Sequence, residues 1–347
     1  MERKRFSSRT GWAVAGGSLL LAAAIAVFFL YRLAYAPNFF PAQPTYVYID
    51  DTKDFDKLVS QLRDSAACKN SAGFVRLARW MKYPRQMKTG KYEVKPGMSN
   101  KQLLDKLRRG HQTAVRLTFN NVRFTGDLAD RLSAQLMLSA ADLNALLDDS
   151  AYTASLGFTP ETVKALFIPD TYEVYWNITP ENLLKRMKKE YTRFWNEKRL
   201  DKARAIGLTP VEVATLASIV EEESAVPDEY PVIAGLYLNR LRRGIPLQAD
   251  PTVKYAVGDF SLQRILFEHL EVDSPYNTYK YAGLPPAPLR VPSARSLDAV
   301  LNYMHHHYLY MCAKEDFSGR HNFAVTLAEH NRNANRYRAE LNRRNIR

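Results

Sequence analysis

Three consecutive carboxylates, Glu221, Glu222 and Glu223, followed by Ser224, close an otherwise apolar segment. The segment opens with Thr209-Pro210-Val211-Glu212. Thr209 can cap a helix, Pro210 suits its first position and Glu212 completes a capping box. Val213, Ala214, Leu216, Ala217, Ile219 and Val220 follow with few polar breaks, the pattern of a helix buried all round. Carboxylates in its last turn meet the negative end of the helix dipole and repel one another, and both effects raise carboxyl pKa values. Helical spacing puts Glu223 one turn beyond Ile219 and Val220, on their apolar face. Glu221 follows Ala217 and Ser218, and Glu222 falls between. Glu223 is therefore the carboxyl expected to stay protonated near neutral pH, the state needed to protonate a leaving oxygen such as that of a glycosidic bond. The plainer reading of the three glutamates is a solvated helix end.

A second set of polar residues lies downstream. Gln248, Asp250, Tyr276, Asn277 and Thr278 fall in loop-like stretches, where amides and aromatic faces could meet a ligand. Each has a plainer role in a turn or a core. Asn239 sits on a helix expected over 232–243 and stopped by Gly244; it bonds a neighbouring loop or faces water. Adjacent histidines in a helix point to different sides, so His305, His306 and His307 predict no metal site, and no cofactor is expected. Cys68 and Cys312 form neither a metal framework nor a redox motif. They are either one disulfide or two small buried side chains.

The elements that must position these groups are readable in outline. Residues 12–31 carry no charge, about the length needed to cross a bilayer. Arg3, Lys4, Arg5 and Arg9 precede them, and only Arg32 follows before Asp50. This asymmetry predicts a cytoplasmic tail over 1–11, a transmembrane helix over 12–31 and everything later outside the cytoplasm. A cleaved signal peptide ending at Ala34-Tyr35-Ala36 is the rival reading. The apolar run is long for a signal core, and Pro37 suits a peptidase poorly. A net charge of +13 in such a chain points to anionic lipid or an anionic wall polymer and away from nucleic acid.

Pro37, Pro41 and Pro44 mark residues 32–44 as an extended spacer. A strand is expected at 45–49, helices at 55–63 and 74–82, then a strand, a Pro96-Gly97 turn, a Ser99 cap and a helix ending at Gly110. That last unit resembles half of a LysM-like glycan-binding module, although many small mixed units share its order. Beyond it a strand is expected at 115–119 and helices at 125–136, 139–147 and 180–198. Leu166-Phe-Ile-Pro-Asp-Thr-Tyr172 is a loop that lines a cleft or plugs a core. The expected fold class is α+β: a transmembrane helix, a small LysM-like α/β domain over 45–118, and a larger, mainly helical catalytic domain with a few strands over 119–347.

Ala217-Ser-Ile-Val-Glu-Glu-Glu-Ser-Ala225, Asn239-Arg-Leu, Leu247-Gln-Ala-Asp-Pro-Thr-Val253, Ser274-Pro-Tyr-Asn-Thr-Tyr279 and Gly283-Leu-Pro-Pro286 occur in an order and spacing that resembles the endolytic murein transglycosylase (YceG-like) family. The resemblance implies cleavage between N-acetylmuramic acid and N-acetylglucosamine within nascent peptidoglycan strands. It further implies products ending in 1,6-anhydro-N-acetylmuramic acid, an end to strand elongation, an inner-membrane location and proximity to penicillin-binding synthases. The family's catalytic glutamate precedes Thr or Ser, which maps to Glu223 before Ser224. Glu221 matches a recurring glutamate, and Glu222 stands where Lys is frequent. His321-Asn-Phe323 resembles a family element near the cleft. Two other classes stay open: a muramidase-type hydrolase using Glu223 as acid and Asp250 as base or nucleophile, and a non-catalytic glycan-binding scaffold.

Overall fold

The computed structural model describes residues 8–262 and 264–344. Most of the expected cytoplasmic tail, residues 1–7, lies outside them. A single helix, α1, spans Ser8–Tyr35. Its stretch Val14–Tyr35 is long and apolar enough to cross a membrane and is exposed from Val14 to Arg32. The chain divides into two units, Met1–Arg116 with Glu173–Ile178, and Leu117–Tyr172 with Thr179–Arg347. Glu173–Ile178 thus joins the first unit although it lies within the stretch 119–347.

In the first unit, β1 (Thr45–Ile49) pairs antiparallel with β2 (Gly90–Val94), with Val47 opposite Tyr92. Alternation turns Val47, Ile49, Tyr92 and Val94 inward. Between the strands run α2 (Phe55–Asp64) and α3 (Ser71–Trp80), and after β2 comes α4 (Asn100–Arg109). Asp54 caps α2, and Asn70 caps α3, which starts at Ser71, three residues before the start expected from sequence. Ser99 forms a full capping box on α4, and Gly110 ends it with φ +75°. Leu58, Leu62, Phe74, Leu103, Leu104 and Leu107 fill the core.

Part of the stretch expected as an extended spacer over 32–44 belongs to this core, through Ala34 and Phe39. Phe39 is fully buried, edge-on to Phe74. Asn38 donates to the Asn70 carbonyl (3.2 Å) and to Asn100 Oδ1 (2.7 Å), and accepts from the Asn70 N–H (2.8 Å). Burying an apolar ring and a hydrogen-bonded amide gains more than three prolines gain from staying extended.

The second unit is mainly helical. Its helices are α5 (Thr125–Ser133), α6 (Ala140–Asp148), α7 (Ser150–Ser155), α8 (Pro180–Phe194), α9 (Glu197–Ala205), α10 (Pro210–Glu223), α11 (Tyr230–Arg242), α12 (Asp250–Val257), α13 (Phe267–Leu270), α14 (Ala294–Leu301) and α15 (Leu327–Arg343). The short strands β3 (Val115–Thr118) and β4 (Thr171–Val174) carry the chain between the units, and β5 (Tyr310–Ala313) pairs antiparallel with β6 (His321–Ala324). Helix and strand coexist in separate regions, an α+β architecture.

The single helix expected over 180–198 is two. Asn196 accepts from the Arg199 N–H (3.1 Å) and caps a new helix, a cap hidden among good helix formers. Leu166, Phe167 and Ile168 are buried, and Tyr172 donates to the Ile168 carbonyl (2.5 Å), so the Leu166–Tyr172 loop plugs the core. His305–His307 lie in irregular chain after α14, not in a helix. His306 there bonds the Val232 carbonyl (2.9 Å). Both cysteines are free thiols.

Candidate active site

Helix α10 is the axis of the second unit. Thr209 and Glu212 form the reciprocal capping box at its start (2.7 and 3.2 Å). Every residue from Val213 to Val220 is buried. A helix covered on all sides cannot twist or slide without losing contacts all round, so its carboxyl end is fixed in place.

The three terminal glutamates diverge there. Glu222 sits in a bidentate pair with Arg123 (2.9 and 3.0 Å) and meets Arg290 (2.7 Å). Glu221 accepts from Asn121 (2.9 Å), from the Ser293 N–H (2.9 Å) and from Ser296 (3.1 Å), tying α10 to the start of α14. Neither is a loose, solvated helix end. Glu223 points into a cleft of about 440 Å³ whose polar lining includes Tyr237, Arg240, Gln248, Asp250, His321 and His330.

Tyr237 donates to Glu223 Oε1 (2.5 Å). Burial pushes the Glu223 carboxyl up to about 7. The Tyr237 hydrogen bond pulls it down, the Asp250 carboxylate raises it, Arg240 lowers it and Glu222 raises it. Desolvation of the charged form is the largest of these effects. Burial also drives the Tyr237 phenol well above its ordinary range, so it stays a donor.

Arg240 is buried. It donates to the carbonyls of Leu309 (2.6 Å), Pro246 (2.9 Å) and Leu247 (3.1 Å) and to Gln248 Oε1 (3.2 Å). One guanidinium thus fixes the Pro246–Gln248 loop and the strand entering β5, while keeping a positive charge in the cleft. Gln248 adopts φ +51°, a left-handed conformation strained for a residue with a side chain. Its N–H donates to the Thr278 carbonyl (3.1 Å). Asp250 opens α12 and accepts from Tyr279 (2.6 Å).

Of the residues singled out from sequence, Glu223, Gln248 and Asp250 line the cleft together. Thr278 is buried behind it, accepting from the Ala249 N–H (3.0 Å) and bonding Thr252 (2.8 Å). Buried Asn277 donates to the Leu270 and Val272 carbonyls (2.8 and 2.9 Å) and accepts from the Tyr279 N–H (3.0 Å). Asn239 donates to the His306 and Tyr308 carbonyls (2.7 and 3.2 Å). Tyr276 packs on Tyr255, centroids 4.6 Å apart. The first three hold backbone and Tyr276 is half-buried against a neighbouring ring; none of the four is among the groups lining the cleft. Ser224, buried, donates to Glu229 (3.1 Å).

Buried Glu229 also accepts from His321, through its backbone N–H and its Nδ1 (both 2.9 Å). This orients the His321 ring in the cleft wall. Tyr237, Arg240, Tyr279 and His330 were not singled out from sequence. Arg240 and Tyr279 fall inside quoted motifs, whereas Tyr237 reads as one more apolar position of α11. The Nδ1 of His330 is buried without a partner among the described residues.

A mainly helical unit that turns a carboxyl raised toward neutrality into an open polar cleft has the geometry a general acid requires. The chain belongs to the YceG-like family, which it matches over residues 47–336. It is 31% identical over 269 residues to an endolytic murein transglycosylase of Bacillus subtilis, covering 73% of this chain and 74% of the relative. An endolytic murein transglycosylase of Streptococcus pneumoniae serotype 2 is 26% identical over 319 residues, 82% of this chain and 57% of its own length. The crystal structure of a yceG-like protein from Listeria monocytogenes superimposes with TM-score 0.56 at 28% identity, over 84% of this chain and 99% of that one.

Proposed function

We propose that the chain is an endolytic murein transglycosylase that cuts peptidoglycan strands internally, with Glu223 as its acid and base. The observation that carries the reading is the Glu223 carboxyl, lifted to about 7 by burial at the end of an immobile helix and open to a cleft. Neutral, it gives its proton to the oxygen linking N-acetylmuramic acid to N-acetylglucosamine. As a carboxylate it then takes the proton of the muramic 6-hydroxyl, whose oxygen closes on C1 of the same sugar. The bond to the leaving sugar breaks, a 1,6-anhydro ring forms, and no water is consumed. The nucleophile belongs to the substrate, so a second protein carboxylate is not required. Tyr237 steadies the carboxylate in the second half of the cycle, and Arg240, Gln248 and His321 are the polar contacts we assign to the strand.

The fit to the family and the relatives' names support the substrate class. The apolar helix α1 supports a single-pass anchor, which we place in the inner membrane with both units outside the cytoplasm. We further read the β2–turn–α4 segment as a LysM-like element that meets glycan, and the site of action as beside penicillin-binding synthases.

Asp250 in the same cleft gives the hydrolase a specific foothold, since it could activate water. Products decide. Digestion of uncrosslinked glycan followed by mass spectrometry is expected to give anhydro ends, and Glu223→Gln to lower their rate about a hundred- to ten-thousandfold. Reducing ends, or an active amide variant, would reject the mechanism.

A further inference from the structure

A second cleft, of about 590 Å³, lies in the first unit beside the last turns of α1. Ala26, Phe29 and Leu30 supply its apolar lining, and Arg32, Lys69 and Arg76 its charge. Ala26 and Arg32 are about 9 Å apart along the helix, the depth over which a bilayer changes from acyl chain to headgroup. None of the three cations has a carboxylate partner among the described residues; Lys69 instead rests over the Phe40 ring (4.0 Å) and Arg32 near Phe28 (6.0 Å). The stretches that line the cleft, 26–38 and 69–76, contain no Asp or Glu. A neighbouring groove shares Arg76 and adds Arg79 of α3, and next to it Trp80 is exposed, the kind of side chain that settles at a bilayer surface.

We propose that this cleft binds one anionic glycerophospholipid of the leaflet facing the first unit. Arg32, Lys69 and Arg76 take its phosphate, and its acyl chains lie along the Ala26–Phe29–Leu30 face. The proposal rests on α1 spanning a bilayer. It explains both linings together. A free phosphate would leave the apolar face unused, and a neutral lipid would leave three cations without counter-charge.

The test is reconstitution of the full chain into bilayers mixing anionic and zwitterionic phospholipids, gentle extraction, and native mass spectrometry of the retained lipid. Wild type is expected to keep the anionic lipid selectively. Lys69→Gln with Arg76→Gln is expected to lower its retention about thirtyfold, from the loss of two surface cations. Lys69→Arg with Arg76→Lys keeps the charge and is expected to keep the lipid, which separates charge from misfolding. Equal retention of both lipid types, an unchanged Gln variant, or displacement by inorganic phosphate as readily as by lipid would overturn the site while leaving the anchor standing. A chain that never enters the bilayer overturns both.

Discussion

Burying an acid until it is neutral has a stability cost as well as a use. The Glu223 carboxyl moves from 4.5 to about 7 on folding. Between those values the folded chain holds a proton that the unfolded chain has released. The stability tied to that proton is complete below about pH 4.5, is lost as pH rises to about 7, and stays lost above it. Glu223→Gln carries no such charge, so at pH 8 it is expected to exceed wild type by up to about 3 kcal/mol. Thermal unfolding at pH 4.5 and pH 8 checks this: the gap should be present at pH 8 and nearly absent at pH 4.5. For the same reason, turnover should fall as pH rises through about 7, where the acid loses its proton. Position 223 was legible in sequence because a helix period and an apolar face are local facts. Its partner Tyr237 was not, since a tyrosine amid Leu236 and Leu238 reads as core until the fold turns its hydroxyl toward the acid.

At the scale of elements, the cleft is held by backbone clasps. Thr278 is the clearest. Its hydroxyl takes the Ala249 N–H and meets Thr252, and its carbonyl takes the Gln248 N–H at the strained turn. Thr278→Val removes the hydroxyl from a buried network and is expected to cost about 1–3 kcal/mol in denaturant unfolding. It should also weaken substrate binding through Gln248, and Thr278→Ser should restore most of both. Sequence placed Gln248, Asn277 and Thr278 near one another in function but not in role. Polar loop residues look alike until it is known whether they turn toward backbone or toward a ligand. Caps at Thr209, Ser99 and Gly110 were readable, being local hydrogen-bond patterns. The Asn196 cap that splits 180–198 was masked by the helix formers on both sides.

On the scale of the whole chain, α1 and the first unit are one construction. Ala34 is buried, Asn100 donates to the Leu33 carbonyl (2.9 Å), and Gly73 lets Leu33 come close where a Cβ would meet it at 2.8 Å. Cutting after Ala36 would strip these contacts from the core. The anchor is therefore expected to be retained: the intact mass of the protein recovered from membranes should include residues before Ala34, and a species beginning at Pro37 would reject the anchor. Gly73→Val should lower the stability of the first unit by about 1–3 kcal/mol through overpacking. The apolar run and the basic residues ahead of it showed the helix in sequence. That Glu173–Ile178 belongs to the first unit was not visible, because membership of a core is decided by partners distant in the chain.

The far wall of the Glu223 cleft is built from Leu309, the β5–β6 pair and His330, which the ribosome delivers last of all the groups lining it. Without that stretch Arg240 has no Leu309 carbonyl to hold, and the cleft lacks those lining groups. A chain cut short of Leu309 would carry every residue of helix α10 and still lack a completed pocket around its end.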